Sequence, residues 1–139
     1  MIWDIAKDNG KAADHIEMAG FYASAIISYG KNKDGELKLM KHLTVPTLRF
    51  KPDLTESSFS HNFNGCAAVI KQNGMALTEY PETVSVKGDL SVSSRAGDKT
   101  EIIRRFTPAV DQPALIETVT VFNRSDKPQK YEAFGACYS

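Results

Sequence analysis

Short apolar runs with a period of two residues, separated by turn-forming residues, constrain this chain more than any other feature. In residues 21–29 every odd position is apolar, and Val84, Val86, Leu90 and Val92 share one parity. Successive side chains of a β-strand point to opposite faces, so this pattern predicts half-buried strands. The sequence therefore predicts an all-β fold, an antiparallel β-sandwich of about seven to nine strands with little or no helix.

Turn signals mark the connections between these runs. Asp34-Gly35 and Asn73-Gly74 favour tight β-hairpin loops. Ala96-Gly97-Asp98 and residues 125–128 predict two further turns, and residues 51–60 predict a surface loop. A helical turn fits only residues 2–13, where Gly10 disfavours it.

Composition and charge exclude several classes of protein. The chain has 139 residues, 42% of them hydrophobic, and 17 basic residues balance 17 acidic ones. These values are typical of a soluble globular domain, and we expect one domain over residues 1–139. The charge balance argues against a nucleic-acid partner. No apolar run approaches the roughly 20 residues of a transmembrane helix, so no membrane partner is expected, and no signal peptide is visible.

The motifs of common active sites are missing from the sequence. There is no G-x-S-x-G elbow, no glycine-rich phosphate loop and no His or Cys pair at metal-ligand spacing. His15 and Glu17 share one face of a predicted strand, but a third metal ligand is not evident. We therefore predict no catalytic residue, no metal and no cofactor. For Cys66 and Cys137 two readings stay open, a small buried hydrophobe at Cys66 and a disulfide between the two.

Three carboxylates lie in or near apolar runs and are candidates for burial: Asp4, Glu17 and Glu117. A buried carboxylate usually pairs with an arginine, and the available partners are Arg49, Arg104 and Arg105. Glu79 and Glu82 flank Tyr80-Pro81, which we interpret as a turn. Trp3, Tyr22, Tyr29 and Tyr80 are candidate stacking platforms for a sugar, although packing is the favoured role of Trp3.

Several segments together carry a family resemblance. They are Trp3-Asp4-Ile5, residues 15–20 (HIEMAG), residues 24–30 (SAIISYG), Asp34-Gly35-Glu36-Leu37, Pro46-Thr47-Leu48-Arg49, Arg105-Phe106-Thr107-Pro108, Ile116-Glu117 and residues 120–125 (TVFNRS). Taken together, the chain from about Trp3 to Phe134 resembles the N-terminal β-sandwich, or supersandwich, of bacterial six-hairpin glycosidases, which include α-L-rhamnosidase-like enzymes.

The resemblance implies a non-catalytic role. In that family the catalytic acids lie in a toroid of paired helices that follows the sandwich, and this chain has no room for a toroid. It is therefore expected to support the helical-toroid catalytic domain of the same parent chain in carbohydrate degradation, in the bacterial periplasm or at the cell surface. Trp3, His15, Glu17 and Arg49 are the candidates for interdomain or substrate contact.

Two alternatives remain open at this point. One is a free-standing carbohydrate-binding module with Trp3 and the tyrosines as platforms, and the other is an immunoglobulin-like adhesion or assembly module. The last residues form a predicted strand without a polar tail, which suggests a piece of a longer chain. If a toroid normally covers one face, that face is expected to be apolar, and the isolated fragment is expected to form a homodimer through it.

Overall fold

The computed structural model of this chain is all-β, with three antiparallel sheets. The structure describes residues 2–4, 13–20, 23–49, 58–64, 68–112 and 114–135. In chain order the strands are β1 (Ile2–Asp4), β2 (Ala13–Ala19), β3 (Ser24–Lys31), β4 (Leu37–Arg49), β5 (Ser58–Asn64), β6 (Ala68–Gln72), β7 (Met75–Ala76), β8 (Glu79–Val86), β9 (Leu90–Ala96), β10 (Thr100–Pro108), β11 (Leu115–Asn123) and β12 (Tyr131–Gly135). The predicted all-β class is confirmed.

The strands form one large sheet and two smaller ones. Sheet A has the order β1-β8-β9-β10-β11, sheet B the order β2-β3-β4-β5, and sheet C the order β12-β6-β7. Consecutive strands pair in β2–β5 and in β8–β11, so both larger sheets are built as meanders.

The described part of the chain has twelve strands, more than the seven to nine expected. Short strands such as β1 and β7 are too brief to show a period-two pattern. Two further expectations were wrong. Residues 58–60, the end of the predicted loop 51–60, belong to the strand Ser58–Asn64. Tyr80-Pro81 lies within β8 and not in a turn.

The predicted hairpin turns are confirmed by backbone geometry. Asn73 and Gly74 connect β6 to β7 with φ values of 51° and 85°, the left-handed pair that a two-residue hairpin loop requires. Gly35 has a φ of 80° between β3 and β4. These turns make adjacent strands antiparallel neighbours, so local sequence determines much of the pairing.

Sheets B and C pack side by side on one face of sheet A, which we call its inner face. The first hydrophobic cluster joins sheets A and B and contains Met18, Ile27, Tyr29, Leu39, Val84, Leu90, Val92 and Phe106. The second joins sheets A and C and contains Ile70, Ala96 and Ile102, with Leu77, Val119, Val121 and Tyr131 against them. Both clusters use alternate residues of β9 and β10, as the sequence pattern predicts.

A bulge in β8 changes which residues face inward. Pro81 is opposite Ser94 and Thr83 is opposite Ser93, so Glu82 is the additional residue. The parity of the strand changes there, and Glu79 therefore shares the inner face with Val84. The described residues of β1 pair with residues 83–85, so Pro81 lies beyond this pairing, where a missing N–H is tolerated.

Some expectations fall outside the described residues. These are the state of Cys66 and Cys137, the placement of Tyr22, most of the stretch given to a helical turn, and residues 51–57 of the predicted loop.

Candidate functional site

Four polar side chains cross the inner face of sheet A on a diagonal. They are Glu117 on β11, Arg104 on β10, Ser94 on β9 and Glu79 on β8. From each residue to the next, the line moves to the neighbouring strand. In the strand register it also shifts by one inward-facing position, which is two residues. On β9 and β10, Val92 and Phe106 lie on one side of this line and Ala96 and Ile102 on the other. The polar diagonal is therefore the seam between the two hydrophobic clusters.

Arg104 is the centre of this seam. Its Nε and Nη2 donate to the two carboxylate oxygens of Glu79 at 2.9 and 2.7 Å, and its Nη1 donates to Glu117 Oε1 at 2.9 Å. Nη2 also donates to the carbonyl of Ala68 on β6 at 2.8 Å. The planar guanidinium suits this arrangement because it presents several donors in a fixed fork.

Lys41 brings sheet B into the same network. Its Nζ donates to Glu117 Oε2 at 3.3 Å and lies 5.9 Å from the centroid of the Phe106 ring. Lys41 is the charged residue that interrupts the apolar face of β4, and the structure buries its side chain to 8% exposure. Two cations and two carboxylates from four strands thus compensate one another, and with the carbonyl of Ala68 on β6 they join all three sheets.

The pairing of Glu117 with Arg104 confirms one of the pairs that the sequence analysis considered. Their side chains are 6% and 1% exposed. Asp4 and Glu17 are exposed, so the expectation of burial was wrong for them. Arg105 pairs instead with Asp89 at the surface. Burial of a charge is tolerated only with such compensation, which is why the apolar setting of Glu117 was informative.

Ser94 is the one polar member of the diagonal outside this network. It is 1% exposed, and its Oγ has no hydrogen-bond partner among the described residues. Its neighbours in register are Pro81 and Ile102, which offer no side-chain partner.

The four residues predicted for contacts lie on two sheets. Trp3 pairs with Val84 in sheet A, whereas His15 and Glu17 pair with Ser28 and Ile26 in sheet B. Arg49 lies at the end of β4, opposite Ser58 and beyond the irregularity that follows Val45. The register brings His15 and Glu17 together but places Trp3 and Arg49 elsewhere, and their role in contacts stays a prediction.

Glu17 lies beside a small groove between β2 and the β8–β9 turn. The groove has a volume of about 250 Å³, and Asp89 and Pro108 form its other side. In sheet B the residues beside Glu17 on successive strands are Ile26, His42 and Asn62. His42 Nδ1 and Asn62 Oδ1 are 2.5 Å apart. This exposed row is polar apart from Ile26.

A larger groove, which we call the hairpin groove, runs between the β6–β7 hairpin and the β9–β10 turn. Its volume is about 500 Å³, and its lining comprises Gln72, Asn73, Met75, Ala76, Leu77, Thr78, Tyr80, Gly97, Asp98 and Gln129. The lining combines apolar side chains with amide, hydroxyl, phenol and carboxylate groups. Such a mixture can contact both the C–H face and the hydroxyl edge of a polar ring.

Amide side chains hold the hairpin groove in shape. Gln72 is buried, and its amide exchanges two hydrogen bonds with the backbone of Asp98, at 3.2 and 3.3 Å. Asn73 accepts from the N–H of Lys130 at 3.1 Å and donates to Gln129 Oε1 at 2.7 Å. Of the lining residues, the sequence had identified only Tyr80 as a binding candidate, because amides near turns carry no specific signal.

Tyr80, one of the residues that line this groove, stacks with a cation. The guanidinium carbon of Arg95 lies 4.8 Å from the centroid of the Tyr80 ring, and Arg95 also forms an exposed ion pair with Glu82 at 3.6 Å. The stacking restrains the ring, so Tyr80 is the best-positioned aromatic side chain for a ligand in this groove.

Comparisons with protein-family models, with curated proteins and with solved structures gave no match to this chain. Within the described residues, no group of three or more His, Cys, Asp or Glu side chains is arranged to hold a metal ion. The same part of the chain contains no helix with the length and hydropathy needed to cross a membrane.

Proposed function

We propose that this chain is a non-catalytic β-sandwich domain of a bacterial glycoside hydrolase. Its role is to support a separate helical-toroid catalytic domain in carbohydrate degradation, in the periplasm or at the cell surface. The sequence segments that resemble six-hairpin glycosidases suggest this role, and one structural observation supports the non-catalytic part of it.

That observation is that the two buried carboxylates are bound by cationic side chains. Glycoside hydrolysis needs two carboxyl groups that face each other across a sugar. Glu79 and Glu117 lie on the inner face of sheet A. Both carboxylate oxygens of each are bound by Arg104 or Lys41. They hold the sheets of this chain together, which supports a structural role for both acids.

An activity assay tests this proposal directly. The purified chain is incubated with a panel of aryl glycosides, and the coding sequence downstream of Ser139 is read. We expect no turnover by the chain, and several hundred downstream residues with helical periodicity. Turnover that is lost in Glu79→Gln or Glu117→Gln would contradict the proposal, as would a reading frame without a helical domain.

The hairpin groove favours a second candidate, a carbohydrate-binding module. The aromatic ring of Tyr80 and the exposed thioether of Met75 offer apolar contact, while Asp98 and Gln129 offer polar groups at the same groove. Sugar rings are recognised by this combination of stacking and hydrogen bonding.

Calorimetric titration with a set of defined oligosaccharides tests the second candidate. We expect Tyr80→Ala to weaken binding by about tenfold or more, since an aromatic contact contributes about 1.4 kcal/mol or more. Phe134→Ala, at an exposed aromatic residue on sheet C, is the matched control and should not change the affinity. Equal affinity for Tyr80→Ala and the unmodified chain rules the groove out, and loss on Trp3→Ala alone places the site at the N-terminal strand instead.

A seven-strand sandwich in Greek-key order would support the third candidate, an immunoglobulin-like adhesion or assembly module. The two larger sheets are meanders, so no structural observation favours that alternative.

A further inference from the structure

β11 is the longest edge strand among the described residues. It spans nine residues and pairs there only with β10, whereas the other strands at sheet edges have two to seven residues. An edge strand presents a row of backbone N–H and C=O groups that can pair with another strand. Proteins usually protect such edges by making them short or by adding outward charges or proline.

The outer face of β11 carries no charged residue or proline of its own, and the guanidinium of Arg124, just after the strand, stacks on the Phe122 ring at 4.8 Å. Its outward-facing residues are uncharged and exposed: Ile116, Thr118, Thr120 and Phe122. The one charged residue of the strand, Glu117, faces the interior and is neutralised by Arg104 and Lys41. Threonine, valine, isoleucine and phenylalanine also have high strand propensity.

The inner face of β11 is incompletely covered. Along β9 and along β10 as far as Phe106 every inward-facing residue is buried, and Pro108 at the end of β10 is half-buried. Along β11 the inward-facing Leu115, Val119 and Val121 are only half-buried. The core of sheet A is therefore open at this edge, and an added strand would cover it.

We propose that β11 pairs with β11 of a second copy of this chain. A two-fold axis perpendicular to the sheet at Val119 aligns the two strands antiparallel over all nine residues. The five-stranded sheets of the two copies then form one continuous sheet of ten strands. This dimer does not depend on the proposed function. Its contact lies at the edge strand β11, whereas the sequence analysis expected a homodimer through an apolar face.

The sequence of β11 is complementary to itself in this register. Thr118 lies opposite Thr120 of the other copy, and Ile116 lies opposite Phe122. Cross-strand pairs of Thr with Thr, and of aromatic with β-branched residues, are favourable in antiparallel sheets. Glu117 lies opposite Val121, so no like charges meet across the axis. This self-complementarity is the reason to assign a second copy, and not a different protein, to the edge.

Sedimentation equilibrium of the full chain tests the proposal. We expect the unmodified chain to be a dimer of 15.3 kDa protomers. The double variant Thr118→Lys/Thr120→Lys places lysines opposite each other at two symmetry-related positions, and we expect its dissociation constant to rise by about 100-fold or more. The variant Thr118→Lys/Thr120→Glu places opposite charges at the same positions, and we expect it to restore the dimer.

The control adds the same charge elsewhere. Val110→Lys/Gln112→Lys, in the exposed loop before β11, should leave the dimer unchanged. Circular dichroism verifies that every variant is folded. A monomeric unmodified chain at the highest soluble concentration overturns the proposal and leaves the edge for a strand of another protein. A dimer that survives the double lysine change, or that the Lys/Glu variant does not restore, also overturns it.

Discussion

Arg104 and Arg105 are adjacent in the sequence and have opposite environments. The side chain of Arg104 is 1% exposed and binds two buried carboxylates, whereas that of Arg105 is 60% exposed and binds Asp89 at the surface. The alternation of β10 places them on opposite faces. The sequence shows that one of the two must face inward between Ile102 and Phe106, but it does not show which acids come to meet it.

The same substitution at the two positions measures this difference. Arg104→Met leaves Glu79 without its cation and Glu117 with Lys41 alone, and we expect the free energy of unfolding to fall by about 3–5 kcal/mol. Arg105→Met removes an exposed ion pair, and we expect a loss of less than about 1 kcal/mol. Urea unfolding followed by circular dichroism gives both values, and similar losses at the two positions would show that the buried network is not what holds the sheets.

At the scale of elements, the turns do more than connect neighbouring strands. The β9–β10 turn is bound by the amide of Gln72 on β6, so a hairpin of sheet A is attached to a strand of sheet C. Gly97 in this turn has a φ of 49°, and Gly88 in the β8–β9 turn has a φ of 77°. Both glycines adopt the left-handed region, but only Gly97 is packed against another element.

Alanine at each glycine separates backbone strain from packing. At Gly88 an added Cβ meets no atom within 4 Å, so Gly88→Ala should cost only the left-handed strain of about 1–2 kcal/mol. At Gly97 the Cβ would lie 2.6 Å from Leu77 Cδ2 and would collide with the Gln72 amide, so Gly97→Ala should cost about 1–3 kcal/mol more. Thermal or urea unfolding checks the ranking, and equal costs would mean that the turn does not rely on its contact with β6.

At the scale of the whole molecule, the two hydrophobic clusters share strands. β9 and β10 each contribute residues to both clusters, on either side of the polar diagonal. Sheets B and C are therefore covered by the same face of sheet A, and neither has a core without it. Residues 1–139, predicted to form one domain, are therefore expected to unfold together.

We expect one cooperative unfolding transition for the whole chain. Ile27→Ala in the first cluster and Ile70→Ala in the second should each lower the global free energy of unfolding by about 2–5 kcal/mol with an unchanged denaturant dependence. Far-ultraviolet and near-ultraviolet circular dichroism should give coincident curves. Two separated transitions, each affected by only one variant, would show that the clusters unfold independently.

The sequence by itself determined the strands, their faces and several turns. Period-two alternation predicted the buried side of β3 and β9, and Asn73-Gly74 predicted a hairpin, because side-chain direction and left-handed turns are local properties of the backbone. Only the tertiary structure decided the division into three sheets, the bulge at Glu82 and the diagonal through Arg104. These depend on which distant strands become neighbours, and pairing between strands that no short turn connects is not encoded in any local window of the chain. The hairpin groove likewise depends on tertiary structure, because Gln72 and Gln129, far apart in sequence, both line it.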